Sequence, residues 1–209
     1  TAFEGVDYII HLAGAGISDK PWTYKYRKEI VKSRIDGITL IKDVVEKNSL
    51  NIKAFISASG INYYGSQSIK KNVIEEHSSG DDFLAKTCVY WENYADKLSH
   101  LTRVVKLRTG IVLDAKKGAY PKLSEPFKYG LGVGLASGNQ YMSWIHIDDI
   151  CRIYLFAIQN PELKGSFNTC SPERTTNMEF SKAVSESFSK KMWLPKIPTF
   201  LLKVVFGDM

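Results

Sequence analysis

The sequence has no apolar run approaching the ~18 residues that cross a bilayer, and it does not open on a secretory signal. A membrane partner is therefore not expected. Cysteine is sparse: Cys88, Cys151 and Cys170 are odd in number and far apart, with neither metal-ligand spacing nor a disulfide framework. That usage fits a reducing, cytoplasmic setting and gives no metal site. Clustered charge is missing too. The formal charge is +6, yet the 28 Lys and Arg residues gather only into pairs such as Lys70-Lys71, Lys116-Lys117 and Lys190-Lys191. Dispersed cations without a reading motif argue against nucleic acid as a partner. A glycine-rich phosphate cradle is also lacking. Gly14 and Gly16 follow an apolar run, but the third place of a GxGxxG pattern is Asp19, and no helix opens behind Gly130, Gly132 and Gly134. No internal repeat or low-complexity tract is present.

What is present is an alternation of strand and helix patterns. The chain has 209 residues, 44% apolar and 24% charged, enough for one globular domain or one with a small appendage. Residues 6–12, VDYIIHL, read as a parallel strand buried on both faces. After Asp19-Lys20-Pro21, the apolar positions Val31, Ile35, Ile38, Ile41 and Val45 step by three and four, the stripe of a core-facing helix. Residues 54–57 form a second strand. Residues 79–82, SGDD, mark a helix start, and Leu84, Cys88, Trp91, Ala95 and Leu98 make the next stripe. A third strand covers 104–108. This order predicts an α/β fold, a doubly wound parallel sheet whose ligands bind at the carboxyl ends of the strands.

After Leu113 the pattern changes. Residues 116–137 read as loop with short helical pieces, 141–147 as a strand, and Asp148-Asp149 as the cap of a helix reaching Gln159. A short strand over 165–169 and a helix over 177–188 follow, and Pro195 and Pro198 bracket a last amphipathic piece.

Four segments stand out: HLAGAG (11–16), SASGINYYG (57–65), LRTGIVL (107–113) and SWIHIDD (143–149). Their order and spacing resemble the extended short-chain dehydrogenase/reductase superfamily, and within it the atypical, sugar-nucleotide-epimerase-like branch of the NAD-dependent epimerase/dehydratase family. The resemblance covers nearly the whole chain. It implies a Rossmann-like fold, NADP or NAD as cofactor with NADP favoured, and a small substrate-capping part. It also implies that the family's first strand, glycine-rich turn and helix, about 60 residues, precede Thr1. Residues 1–113 would then be the C-terminal portion of the dinucleotide-binding domain. Residues 114–209 would be a mixed region, from which 141–160 returns to the core.

In that superfamily a serine works with a tyrosine, a lysine that lowers the tyrosine's pKa, and often an asparagine. A phenol is a poor base at neutral pH until an ammonium one helical turn away stabilises the phenolate. By resemblance Ser59 is the catalytic serine, Cys88 stands at the tyrosine position, Glu92 at the lysine position and Arg34 at the asparagine position. Two readings of Cys88 stand open: a proton-shuttling thiol, whose pKa a nearby carboxylate raises, or an inert packed thiol. For Glu92 the readings are a partner of ribose hydroxyls or of Arg34, and an exposed helix charge. Ala13, Gly14, Arg34, Ser57, Glu92, Thr109, Gly110 and Ile111 are carried over as cofactor-binding residues. His146 and Asp149 are read as holding a loop and capping a helix. Tyr24 and Lys28, the one YxxxK, lie on the wrong helix.

The arginine that pairs with a sugar nucleotide's diphosphate is replaced by Met142, and no Lys or Arg occurs between Tyr129 and Cys151. Tyr129, Tyr141, Met142 and Trp144 suggest a less charged pocket. The expected function is an NAD(P)-binding oxidoreductase or epimerase-like protein acting on a small carbonyl or sugar-type molecule. The alternative is a dinucleotide-binding protein, a redox sensor or structural holder, without turnover.

Overall fold

A computed structural model describes residues 3–67, 73–135, 137–192 and 196–197. Lys70-Lys71 and the amphipathic piece after Pro195 lie outside the described residues, apart from 196–197.

Four parallel strands form the central sheet in the order β1-β2-β3-β7: β1 (Tyr8–His11), β2 (Ala54–Gly60), β3 (Arg103–Thr109) and β7 (Gly165–Thr169). Side chains of successive strand residues point to opposite faces, so each strand feeds two cores. On one face Ile9, Phe55 and Val104 pack with Ile38 and Val45 of α1 (Tyr24–Lys47) and with Trp91 and Ala95 of α2 (Phe83–Asp96). On the other, Ala54, Ile56, Val105 and Leu107 pack against Ala157, Ile153 and Tyr154 of α4 (Ile147–Gln159). Helices on both faces of a parallel sheet make the predicted Rossmann-like α/β arrangement.

Caps explain the helix limits. Thr23, not the Asp19-Lys20-Pro21 turn, starts α1, its side chain accepting from the Tyr26 N–H. Asp82 starts α2 by accepting from the Ala85 N–H, as the SGDD signal predicted. At α4 the cap is His146, whose Nδ1 accepts from the Asp148 N–H, so Asp148 and Asp149 occupy the first turn instead of the capping position. Asp149 pairs with Arg152. The buried positions of α1 are Tyr26, Ile30, Arg34, Ile38 and Val45, which rotates the stripe slightly from the predicted one and brings Arg34 inside.

The sequence reads β1 as buried on both faces; among the described residues it ends the sheet order, with Ile9 and His11 buried and Tyr8, Ile10 and Leu12 uncovered on the opposite face. Beyond β3 the chain makes β4 (Ile111–Leu113), α3 (Ala119–Lys128), β5 (Gly134–Leu135) and β6 (Trp144–His146). β4 pairs with β6, and β5 with β8 (Lys196–Ile197). The strand expected over 141–147 is shortened to β6, because Tyr141 instead bridges to Thr176. Phe127 of α3 meets Phe180 and Val184 of α5 (Asn177–Ser187), a third small core beside the carboxyl ends of the main sheet.

Candidate functional site

A cavity of about 940 Å³ opens at the carboxyl ends of β2 and β3, between α1, α2, α4 and the β4–α3 segment. Its wall includes Ser59, Gly60, Thr87, Cys88, Trp91, Thr109, Gly110, Ile111, Tyr141, Met142 and Tyr154. Its charged members are Arg34 inside and Asp114 and Lys117 toward solvent.

Gly110 is demanded by contact. A Cβ there would stand 2.7 Å from the Ser143 carbonyl oxygen, where β3 passes into β4 and Ile111 N–H donates to that same carbonyl at 2.8 Å.

Beside the cavity lies a buried polar network. Ser59, at the end of β2, donates its hydroxyl proton to Glu92 Oε1 at 2.7 Å. Arg108 of β3 grips the same carboxylate as a fork, Nε to Oε1 and Nη2 to Oε2, each at 2.8 Å, and Ser166 of β7 donates to Oε2 at 3.1 Å. Four donors fill the four lone-pair sites of a carboxylate. Arg108 Nη1 reaches the Tyr64 hydroxyl and the Glu75 carbonyl, and its guanidinium lies 3.5 Å from the Tyr63 ring centroid. Tyr64 passes its proton to Asn168 Oδ1. Burial pushes the Glu92 carboxyl up, but the hydrogen bonds from Arg108 and Ser59 and the arginine's charge outweigh it, holding the group below the usual carboxylate range. Glu92 is thus neither an exposed helix charge nor a partner of Arg34, and it does not line the cavity.

One rung below, Lys106 of β3 pairs with Asp96 of α2 at 2.7 Å. Lys106 and Arg108 share a strand face, as Glu92 and Asp96 share a helix face. Two strand residues rise about 6.6 Å and four helix residues about 6 Å, so the two ion pairs stack in register.

Cys88 sits on α2 one turn before Glu92, facing the cavity. Its sulfur has the Gly60 backbone and the Ser59 hydroxyl as hydrogen-bond neighbours. Burial, then the Glu92 charge, pushes the thiol up to about 11. The thiol is therefore protonated at neutral pH and a poor base. At pH 8 its thiolate fraction falls on the order of 10²-fold below that of an ordinary cysteine near pKa 8.5. Alkylation followed by peptide mass spectrometry should modify the exposed Cys151 first. Equal rates at both residues would contradict this environment.

Arg34 enters from α1. Its Nη1 donates to the Ile30 carbonyl at 2.8 Å and the Ala15 carbonyl at 3.0 Å, and its guanidinium stacks 4.7 Å from the Trp91 ring centroid. Gly14 makes room for it, since a Cβ on Gly14 would lie 3.0 Å from the guanidinium carbon. Under Trp91, burial and then the Arg34 charge push His11 down, keeping it neutral.

Of the sequence-predicted residues, the structure gathers Ser59, Cys88, Arg34, Thr109, Gly110 and Ile111 around one cavity. Ala13 and Gly14 are exposed and lie off its wall, and Ser57 is buried in β2 with its hydroxyl turned to the Ala58 carbonyl. Ser59 has its proton committed to Glu92, which leaves its oxygen an acceptor and removes the donor that carbonyl polarisation requires. Tyr141 and Met142 line the cavity as expected, whereas Tyr129 is exposed and Trp144 turns its indole N–H to Thr175. Tyr24 is exposed at the start of α1, with Lys28 also in solvent. Arg108, Thr87, Trp91 and Tyr154 were not singled out from sequence as site residues. For Arg108 a signal existed: Lys106 and Arg108 alternate with the apolar Val105 and Leu107 in a strand of the predicted parallel sheet, and cations there need partners.

Residues 1–170 match the model of the NAD dependent epimerase/dehydratase family. The chain belongs to that family. It is 34% identical over 209 residues to "Epimerase family protein Mb2239" of Mycobacterium bovis, covering 99% of this chain and 68% of that protein. The chloroplastic "Epimerase family protein SDR39U1 homolog" of Arabidopsis thaliana is 33% identical, with 98% of this chain and 59% of that protein covered. Among solved structures, human epimerase family protein SDR39U1 (isoform2) with NADPH superposes with a TM-score of 0.90 at 30% identity, covering 97% of this chain and 69% of that one. The chain thus spans about two thirds of the length of these family members. Among the described residues, no helix is long and apolar enough to cross a membrane, and no group of three or more His, Cys, Asp or Glu side chains could hold a metal ion.

Proposed function

We propose that this family member binds NADP(H) across the carboxyl ends of β2 and β3 and reduces a small carbonyl compound, with residues 1–113 supplying part of the dinucleotide-binding domain and 114–209 shaping the substrate side. One observation carries the reading: the cavity brings a protonated thiol, Cys88, to the strand ends where Thr109, Gly110 and Ile111 form the opposite wall. NADPH is the ligand named with the human relative's structure, and the buried Arg34 cation fits an anionic dinucleotide.

When bound, NADPH supplies a hydride. Cys88 holds the matching proton at Sγ for the carbonyl oxygen and recovers it from solvent, and Ser59, fixed by Glu92, holds Cys88 in place. An epimerisation cycle needs in addition a base for its oxidative half. Glu92 is saturated, Ser59 faces it, and a thiol near 11 does not ionise at neutral pH. The resting protonation states therefore suit the reductive half-reaction, in which Cys88 enters as the proton donor.

A fluorescence titration should show NADPH binding, and a panel of uncharged and acidic carbonyl compounds should contain at least one that oxidises the bound NADPH. The commitment of Ser59 to Glu92 favours a second reading, a dinucleotide-holding protein without turnover. Binding with no oxidation by any carbonyl, unchanged by Ser59→Ala, would establish that reading instead. No binding of either dinucleotide would remove both.

A further inference from the structure

Met142 in place of a diphosphate-pairing arginine reads as a less charged pocket, yet the structure brings a cation, Arg34 of α1, to the wall of the same cavity. Arg34 is 9% exposed and lines the cavity, and no described carboxylate lies within ion-pair distance of it. Its Nη1 protons are spent on the Ile30 and Ala15 carbonyls. No described residue accepts from Nε or Nη2, so one edge of the guanidinium presents its donors to the cavity.

A buried charge without a counterion is costly, and two carbonyls with a facing indole compensate only in part. The neighbours add no anion, because His11 is neutral and Cys88 stays a thiol. Glu92, one turn from Cys88 on α2, is consumed by Arg108. Gly14 and Trp91 flank the Arg34 guanidinium, and two backbone carbonyls fix its Nη1. A fixed fork of N–H groups is matched by two oxygens of a carboxylate or phosphate.

We propose that Arg34 is an anion-recognition residue, and that the ligand of this cavity places a carboxylate or phosphate against its free edge, beside the Cys88 thiol. Two sources share this chemistry: an acidic group on the substrate, which makes it an oxo acid, and a phosphate of the dinucleotide. The inference rests on the cavity reading above and not on turnover.

The test uses equilibrium binding of three probes to the wild-type protein and to Arg34→Met: NADPH, phenylglyoxylate, and acetophenone as its uncharged counterpart. For the substrate source, wild type prefers phenylglyoxylate to acetophenone, and Arg34→Met weakens phenylglyoxylate about tenfold to a hundredfold while NADPH and acetophenone hold. For the cofactor source, Arg34→Met weakens NADPH by a similar factor and leaves the carbonyl pair unchanged. Arg34→Lys, which keeps the charge but loses the fork, guards against a folding defect and should recover part of the affinity. The proposal is overturned if Arg34→Met, folded by circular dichroism, binds every probe within twofold of wild type, or if wild type binds neither anion. NADPH binding without carbonyl turnover would remove the reductase reading and leave this one standing.

Discussion

Arg108→Met should lower the unfolding free energy by about 3–5 kcal/mol, the cost of leaving a buried charge without its partner. Arg108 and Glu92 are 4% and 5% exposed, so solvent does not screen the loss. The substitution strands the Glu92 carboxylate on two serine hydroxyls and takes a donor from the fully buried Tyr64 and from the Glu75 carbonyl, leaving Asn168 of β7 to hold the 73–75 segment. For a chain of this length the melting temperature should fall on the order of 10 °C. Replacing both partners, Glu92→Met with Arg108→Met, should recover much of the stability, because two apolar side chains need no hydration. The pH dependence follows from the sign of the Glu92 shift. Its folded pKa lies below its unfolded value, so its contribution is complete above the unfolded pKa, about 4.3, and is lost as pH falls through the folded one. The double variant should lack that acid-dependent loss. Urea denaturation of the three proteins at pH 7 and along an acid series reads all of this, and an Arg108→Met loss under about 1 kcal/mol would show that the fork contributes no more than an exposed pair.

Cys88→Ala is expected to slow carbonyl reduction by about 10²–10⁴-fold, the range for removing a positioned general acid, with NADPH affinity unchanged. The split between rate and binding is the informative part. Cys88 packs in α2 against the ends of β2 and lines the cavity, but the anchoring of Thr109, Gly110 and Ile111 does not depend on it. Stopped-flow loss of NADPH fluorescence separates the two quantities. Loss of affinity with unchanged turnover would make Cys88 a packing residue, the other reading its position allowed.

The sheet and its helices were legible where local signals are strong: Asp82 caps α2 as the SGDD signal indicates, and the stripe positions Cys88, Trp91 and Ala95 lie on its buried face, whereas α1 starts at Thr23 and buries a stripe rotated toward Arg34. The site was half legible. Ser59, Cys88 and Arg34 came from motif position, but the fate of Glu92 depended on Arg108, 16 residues away on the next strand. The clue was present as two spacings, acids four apart at 92 and 96 and bases two apart at 106 and 108, which meet when helix and strand pack antiparallel. The contacts of Arg34 left no such trace. Its partners are backbone carbonyls and an indole, which no pattern of side-chain types encodes.

The central claim is the proposal that the protonated Cys88 thiol serves as proton source in place of the tyrosine and lysine pair, with Glu92 taken up by Arg108 and Ser59. The pH dependence of NADPH oxidation under saturating carbonyl substrate tests it most directly. The account predicts a rate that is flat from about pH 6 to 9 and falls only as the medium nears the Cys88 value of about 11. An inflection near neutral pH that survives in Cys88→Ala would contradict it.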